Sequence, residues 1–336
     1  MKQNKFYSLK KIDNYDILST DKTVVNIVNI TGGKMENKME LLNKLKKEKN
    51  AVILAHYYTD KEIQKAADYV GDSYFLSEKA REVKEDIIVM CGVSFMGESV
   101  KLLNPNKTVL LPDSNADCPM AHMADVEKIK KVREKYEDLA VVCYVNSTAE
   151  LKAHSDVCVT SANALKIVKN LSQKNIFFIP DKHLAHYISE QVPDKNFIFN
   201  EGWCHVHDSL SLDEVINLKN RYPEAEILVH PECREDVVAM GDFVGSTSGI
   251  IKYASGSSKK DFIVCTEEGV LYELEEKNPD KNFYFPKERF VCEDMKKITL
   301  DKIIDVLENN SNKVEMKENL IEDACKPLEN MLKLAE

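Results

Sequence analysis

The stretch AHYY (residues 55–58) ends a short β-branched run with polar side chains, and the chain repeats this arrangement as CYVN (143–146) and VHPE (229–232). Each copy places a His or a Tyr where the run stops, then one spacer residue and then a Tyr, Asn or Glu. His56, Tyr144 and His230 occupy the same place in the three copies and are 88 and 86 residues apart. This spacing indicates a unit that occurs three times in the chain.

Further patterns follow the same spacing. An Asp, an apolar run and a hydroxyl residue recur in ADYVGDS (67–73), SDVCVTS (155–161) and GDFVGST (241–247). The hydroxyl residues Ser73, Ser161 and Thr247 are again 88 and 86 residues apart. A third apolar segment recurs as DIIVMCG (86–92), NIFFIPD (175–181) and DFIVCTE (261–267). A helical pattern, with apolar residues three and four positions apart, precedes the first strand of each copy.

Alternation of buried apolar runs with helical patterns is typical of a parallel sheet flanked by helices. We therefore expect an α/β fold with three similar units, at residues 39–118, 119–204 and 205–296. Residues 1–38 would form an extension outside the repeat, and residues 297–336 a closing helical segment. Ligands bind beyond the carboxyl ends of parallel strands, where the polar residues recur here. Three units around a pseudo-threefold axis would then share one central active site, whereas the alternative is a stable scaffold without a shared site.

Composition excludes several functional classes. The 336 residues carry a net charge of −10 without a block of like charge, which argues against a nucleic-acid or anionic-membrane surface. No apolar stretch of about 18 residues occurs, and the first residues do not form a signal peptide, so we expect a cytoplasmic protein. Nine cysteines in such a chain favour free thiols or metal ligands over disulfides.

The repeat separates the cysteines into two groups. Cys143 and Cys158 align with apolar residues in the other two units, as expected of cysteines in a core. Cys118, Cys204 and Cys292 instead occur once in each unit, with spacings of 86 and 88 residues. Three converging thiolates suit either a zinc ion or a [4Fe–4S] cluster with one iron lacking a protein ligand, and ligand softness favours the cluster. An open iron is a Lewis acid, suited to dehydration and condensation.

Other recurring residues are candidates for binding and proton transfer. Each of the hydroxyls Ser73, Ser161 and Thr247 precedes a helical run, so we expect helix N-caps whose N-termini bind carboxylates or phosphate. The strand ends supply donors, acceptors and proton carriers, namely His56, Tyr58, Tyr144, Asn146, His230 and Glu232. A purely structural role, as an ordinary cap or a satisfied core residue, is the alternative for each one.

Together these segments resemble the quinolinate synthase family, iron–sulfur enzymes of de novo NAD biosynthesis. The resemblance rests on AHYYTDKEIQKAADYVGDS, CPMAH, CYVNSTAELK, TSANA, VHPEC, VGSTSG and CEDMKK, and it extends from about Met39 to the C-terminus. It implies condensation of iminoaspartate with dihydroxyacetone phosphate to quinolinate, with loss of phosphate and water. It also implies a [4Fe–4S] cluster with three cysteine ligands and an open iron. The partner enzyme would be an L-aspartate oxidase or dehydrogenase that supplies iminoaspartate.

The family's functional residues fall on positions that the repeat also singles out. The resemblance implies cluster ligands at Cys118, Cys204 and Cys292 and catalytic residues at Tyr58, Glu232 and His230. It implies substrate binding by His56, Ser73, Tyr144, Val145, Asn146, Ser161, His230, Pro231, Glu232 and Thr247. We expect burial to raise the pKa of Glu232 toward neutrality, which would make it the better candidate base.

Two rival functions remain open from the sequence. One is a zinc-dependent hydro-lyase that uses the same three thiols. The other is a non-enzymatic iron–sulfur sensor of oxygen or iron, which predicts a partner surface and leaves the strand-end polar residues without a role.

Overall fold

The structure, a computed structural model, describes residues 22–286 and 290–335. The chain divides into two compact units, residues 1–41 and residues 42–336. The described part of the first unit is helical and belongs to α1 (Lys22–Lys49). This helix begins before residue 39, so the proposed boundary at residue 38 falls inside it. The remaining part of the expected extension, residues 1–21, lies outside the described residues.

The first α/β unit forms a four-stranded parallel sheet in the order β2-β1-β3-β4. Its elements alternate along the chain: β1 (Ala51–His56), α2 (Lys61–Ala66), β2 (Tyr69–Gly71), α3 (Ser73–Glu82), β3 (Ile87–Cys91), α4 (Ser94–Leu103) and β4 (Thr108–Leu110).

The second unit repeats this order as β6-β5-β7-β8, again with all strands parallel. A 3₁₀ turn (Pro119–His122) leads into α5 (Val126–Lys135), β5 (Leu139–Tyr144), α6 (Ala149–Ala153), β6 (Val157–Val159), α7 (Ala164–Asn170), β7 (Asn175–Ile179), α8 (Lys182–Glu190) and β8 (Asn196–Phe199).

The third unit has the strand order β10-β9-β11-β12, also parallel. Its elements are α9 (His205–Asp208), α10 (Leu212–Arg221), β9 (Glu226–Val229), α11 (Glu235–Val238), β10 (Phe243–Val244), α12 (Thr247–Gly256), β11 (Asp261–Cys265), a 3₁₀ turn (Glu268–Val270), α13 (Leu271–Lys277) and β12 (Asn282–Tyr284). The chain closes with α14 (Glu293–Lys296), α15 (Leu300–Asn309) and α16 (Glu318–Ala335).

The three sheets share one strand order, which confirms the predicted α/β fold with three similar units. Their pairing register repeats as well, because Ala55 pairs with Cys91, Cys143 with Ile179, and Val229 with Cys265. All six residues are fully buried. Helices alternate with the strands of each sheet, and the burial of the central strands explains their continuous apolar runs. Among the described residues, no helix is long and apolar enough to span a membrane.

The predicted N-caps are wrong by one or two residues. Ser73 and Thr247 are the first helical residues of α3 and α12, and the caps are Asp72 and Ser246, whose side chains accept from Phe75 N and Gly249 N. In the second unit the residue at the cap of α7 is Asn163, two positions after Ser161. A carboxylate or hydroxyl one residue earlier reaches the free N–H groups of the first turn, so Ser73 and Thr247 are not needed for capping.

Candidate active site

One cavity gathers polar residues from all three sheets. Its lining includes predicted substrate-binding or catalytic residues and all three predicted cluster ligands, namely His56, Tyr58, Ser73, Asn146, Glu232, Cys118, Cys204 and Cys292. The polar residues follow the carboxyl ends of β1, β5 and β9, or open α3. The parallel sheets therefore bring together side chains that are far apart in the chain.

Two strand-end histidines make the same local hydrogen bond. The amide of Tyr58 donates to Nδ1 of His56 (3.2 Å), and the amide of Glu232 donates to Nδ1 of His230 (3.4 Å). Burial lowers the pKa of each imidazole to about 3. Each ring is therefore neutral and carries its proton on Nε2, which makes Nε2 a donor. The Nε2 atom of His230 lies 3.3 Å from Oγ of Ser161.

A hydrogen-bonded chain links Tyr58 to Glu232. The Tyr58 hydroxyl lies 2.9 Å from Oγ1 of Thr266, which lies 3.0 Å from Nε2 of His207. Nδ1 of His207 lies 2.9 Å from Oε2 of Glu232. The Tyr58 hydroxyl also contacts Oγ1 of Thr247 at 2.8 Å. The two residues expected to transfer protons are thus the ends of one chain.

Glu232 is buried, but its pKa does not rise as we expected. Burial acts to raise the pKa of Glu232, and it is outweighed by hydrogen bonds from His207 and Tyr144 and by nearby imidazoles, which hold the pKa at about 2. The expectation of a pKa near neutrality is therefore wrong. Oε1 of Glu232 is buried without a hydrogen-bond partner. The side chain presents an ionised carboxylate with one acceptor atom available to a ligand.

Both tyrosines remain protonated in this setting. Burial, followed by the negative charge of Glu232, raises the pKa of Tyr58 and of Tyr144 well above the usual range. Their hydroxyls are therefore hydrogen-bond donors at neutral pH. Near them, Oδ1 of Asn146 is a second buried acceptor without a partner. Two such acceptors indicate a ligand that brings its own N–H or O–H groups.

The three cysteines occupy equivalent positions at the start of short helical turns. Cys118, Cys204 and Cys292 each precede such a turn in extended conformation. The backbone carbonyl of each cysteine accepts a hydrogen bond from an amide in that turn, from Ala121 (2.9 Å), Asp208 (2.9 Å) and Met295 (3.0 Å) respectively. Burial raises the pKa of all three thiols, that of Cys292 to about 11. Soft sulfur donors that line one cavity fit an iron–sulfur cluster.

The separation of the sulfurs argues against a single zinc ion on these three cysteines. Among the described residues, three ligand atoms lie within 4.8 Å of one another in a different set, Cys204, His207 and Glu232. The three cysteines do not form such a set. A tetrahedral zinc with Zn–S bonds of about 2.3 Å would hold its sulfurs about 3.8 Å apart.

The remaining predicted residues lie behind the cavity wall. Thr247, Tyr144, His230 and Ser161 reach the cavity through hydrogen bonds to lining residues or to each other. Val145 lines a small neighbouring cavity that shares Ser73 with the main one. Pro231 is buried between His230 and Glu232 and offers no polar side-chain atom.

Sequence reasoning missed three residues at this site, His207, Thr266 and Glu267. The positions equivalent to His207 in the other units are Ala121 and Met295, so the repeat could not select it. Its spacing three residues after Cys204 was the available signal, because residues at this spacing lie on one helix face.

Comparison with known proteins gives one consistent result. Residues 40–333 match the family described as Quinolinate synthetase A protein (NadA). A protein of Clostridioides difficile named quinolinate synthase is 55% identical over 295 residues, which are 88% of this chain and 97% of that protein. Proteins with the same name from Fusobacterium nucleatum and a Sulfurihydrogenibium species are 52% and 50% identical. Each alignment covers 88% of this chain and 98% of the relative.

Proposed function

Because the chain belongs to the quinolinate synthase family, whose members are enzymes of quinolinate formation, we propose that it condenses iminoaspartate with dihydroxyacetone phosphate. The products are quinolinate, phosphate and water. The observation that carries this proposal is the single cavity that three thiols share with strand-end polar side chains from all three sheets. An L-aspartate oxidase or dehydrogenase would supply iminoaspartate.

The cofactor in this proposal is a [4Fe–4S] cluster held by Cys118, Cys204 and Cys292, with one iron left open. The soft donor set and the position of all three thiols on one cavity support these ligands. When bound, such a cluster supplies Lewis acidity toward a carboxylate or hydroxyl oxygen.

Substrate binding uses the acceptors and donors of the cavity. The unpaired Oε1 of Glu232 and Oδ1 of Asn146 accept hydrogen bonds from the nitrogen of iminoaspartate or from a hydroxyl of the triose. The Nε2–H group of His56, which lines the cavity, donates to a substrate oxygen. The hydroxyl of Ser73, the first residue of α3, lines the cavity and offers a donor to a carboxylate or phosphate.

Proton transfer falls to the two ends of the hydrogen-bonded chain. Enolisation of the triose carbonyl needs a base, and elimination of water needs an acid. Glu232 is ionised and can accept a proton, whereas Tyr58 is protonated and can donate one. Thr266 and His207 connect the two side chains. Two hydrogen bonds hold the His230 ring beside Glu232. Its Nδ1 accepts from the amide of Glu232, and its Nε2 contacts the hydroxyl of Ser161.

A zinc-dependent hydro-lyase is the second candidate, because one set of residues has the compactness of a mononuclear site. Nδ1 of His207 lies 2.9 Å from Oε2 of Glu232 and 3.3 Å from Sγ of Cys204. A zinc ion at this set would use one cysteine and leave Cys118 and Cys292 without a metal.

Anaerobic purification followed by metal and sulfide analysis and a quinolinate assay separates these functions. We expect iron and acid-labile sulfide, a brown chromophore, and quinolinate production from the two substrates. Stoichiometric zinc without sulfide would support the hydro-lyase and overturn the proposal. A cluster without turnover of these substrates would instead favour the sensor.

A further inference from the structure

A buried or half-buried carboxylate accepts the backbone N–H of each predicted cluster ligand. Oδ1 of Asp117 lies 2.8 Å from the amide nitrogen of Cys118. Oδ2 of Asp181 lies 3.2 Å from that of Cys204. Oε1 of Glu267 lies 3.1 Å from that of Cys292, which completes the set. None of these carboxylates has a role in the mechanism described above.

The three acceptor side chains come from two different positions of the repeat. Asp181 and Glu267 occupy equivalent positions, two residues after the last residue of β7 and of β11. Their counterpart in the first unit, Val93, has no acceptor in its side chain. The first unit instead carries Asp117 directly before its cysteine, where the other units have Trp203 and Val291.

The first unit therefore makes the same hydrogen bond to its cysteine from a different position of the repeat. Common descent of the units explains why Asp181 and Glu267 are alike, but it does not explain Asp117. The feature that all three units share is an acceptor on the amide of the cysteine.

We propose that Asp117, Asp181 and Glu267 are positioning residues that hold the three cysteine backbones in the conformation that binds the cluster. The inference rests on the proposed function, since it takes the three cysteines as ligands. The backbone of each cysteine is then held twice, because its amide donates to a carboxylate and its carbonyl accepts from an amide of the following turn, that of Ala121, Asp208 or Met295. Groups that orient metal ligands in this way typically contribute about 10–100-fold to metal affinity.

Asp181 and Glu267 also cap helical turns, which is an ordinary structural role. An experiment must distinguish this capping from the positioning of the cysteines. Their side chains accept from Leu184 N and Gly269 N. Asp125 provides a matched control, because its side chain caps α5 by accepting from Lys128 N and does not accept from the amide of a cysteine. The side chain of Asp117 is 45% exposed, so its replacement puts folding at little risk.

The test measures the rate at which a chelator removes iron from cluster-loaded protein, together with the melting temperature of each variant. We expect Asp117→Ala, Asp181→Ala and Glu267→Ala to release iron at least about tenfold faster than wild type. Asp125→Ala should lower the melting temperature and release iron at the wild-type rate. Asp181→Asn and Glu267→Gln keep an acceptor oxygen and should restore slow release.

Release at the wild-type rate from all three alanine variants would overturn the inference. So would release from Asp125→Ala that is as fast as theirs. If Asp181→Ala or Glu267→Ala did not fold, Asp117→Ala would decide the question. Wild-type protein that contained no iron and sulfide would instead contradict the proposed function itself, so the two failures are distinguishable.

Discussion

At the scale of single residues, cysteines of similar chemistry lie in two different surroundings. The side chains of Cys118, Cys204 and Cys292 line the cavity, whereas those of Cys143 and Cys158 are fully buried in the second sheet. We predict that replacing any one of the first three by Ser removes the brown chromophore and activity, because a hydroxyl is a poor ligand for iron. Iron and sulfide analysis checks this.

The two core cysteines serve as the matched control. Cys143→Ala and Cys158→Val introduce residues that the equivalent positions of the other units already carry, at Ala55 and Val244. We expect both variants to retain iron, sulfide and turnover. Near-normal iron content in a Ser variant of the first group would remove that residue from the ligand set.

Replacement of Glu232 tests the role of a single residue in proton transfer. Glu232→Gln keeps the shape of the side chain but removes the negative charge that accepts a proton. We expect the variant to keep the cluster and to bind substrate analogues, while kcat falls at least about 10²-fold. Tyr58→Phe, at the other end of the chain through Thr266 and His207, should have a similar or milder effect. Wild-type kcat in cluster-replete Glu232→Gln at saturating substrates would leave that residue a positioning role at most.

At the scale of elements, two adjacent residues at the N-terminus of α3 have different roles, one in helix stability and the other in substrate binding. Asp72 accepts from Phe75 N and caps the helix, whereas Ser73 lines the cavity. We predict that Asp72→Ala lowers the free energy of unfolding by about 1 kcal/mol. Ser73→Ala should leave stability nearly unchanged and weaken substrate binding by about 1–3 kcal/mol, the cost of one lost hydrogen bond in a closed site. Denaturant unfolding and KM measurements on both variants check this, and unchanged KM with a lowered melting temperature in Ser73→Ala would contradict it.

The elements also show what sequence can and cannot predict. Strands, helices and the cysteine positions followed from spacing, because three copies of one pattern restrict each other. The caps were missed because a one-residue shift moves a side chain from the helix amides to the cavity. His207 was missed because only one unit carries it. The pKa of Glu232 was misjudged because its partners, His207 and Tyr144, come from distant segments that only the fold brings near.

At the scale of the whole molecule, α16 packs against both the first and the second α/β unit. It packs against α4 of the first unit and against α6, β6 and α7 of the second. Leu328 of this helix is fully buried, whereas Leu334 is 36% exposed. We predict that Leu328→Ala lowers the free energy of unfolding by about 2–5 kcal/mol, because it removes buried apolar contacts and leaves a cavity. Leu334→Ala should change it by no more than about 0.5 kcal/mol. Urea unfolding of both variants provides the comparison, and equal effects would contradict the packing described for α16.

The position of the cysteines along the chain also determines the point in synthesis at which all three thiols are present. Each one follows the last strand of its own sheet, at residues 118, 204 and 292. The chain emerges from the ribosome N-terminus first, so the third thiol becomes available only after three sheets have been synthesised. With the proposed ligands, a nascent chain that stalls before residue 292 carries at most two of the three thiols. A cluster that needs all three proposed ligands can therefore be completed only after residue 292 has been synthesised.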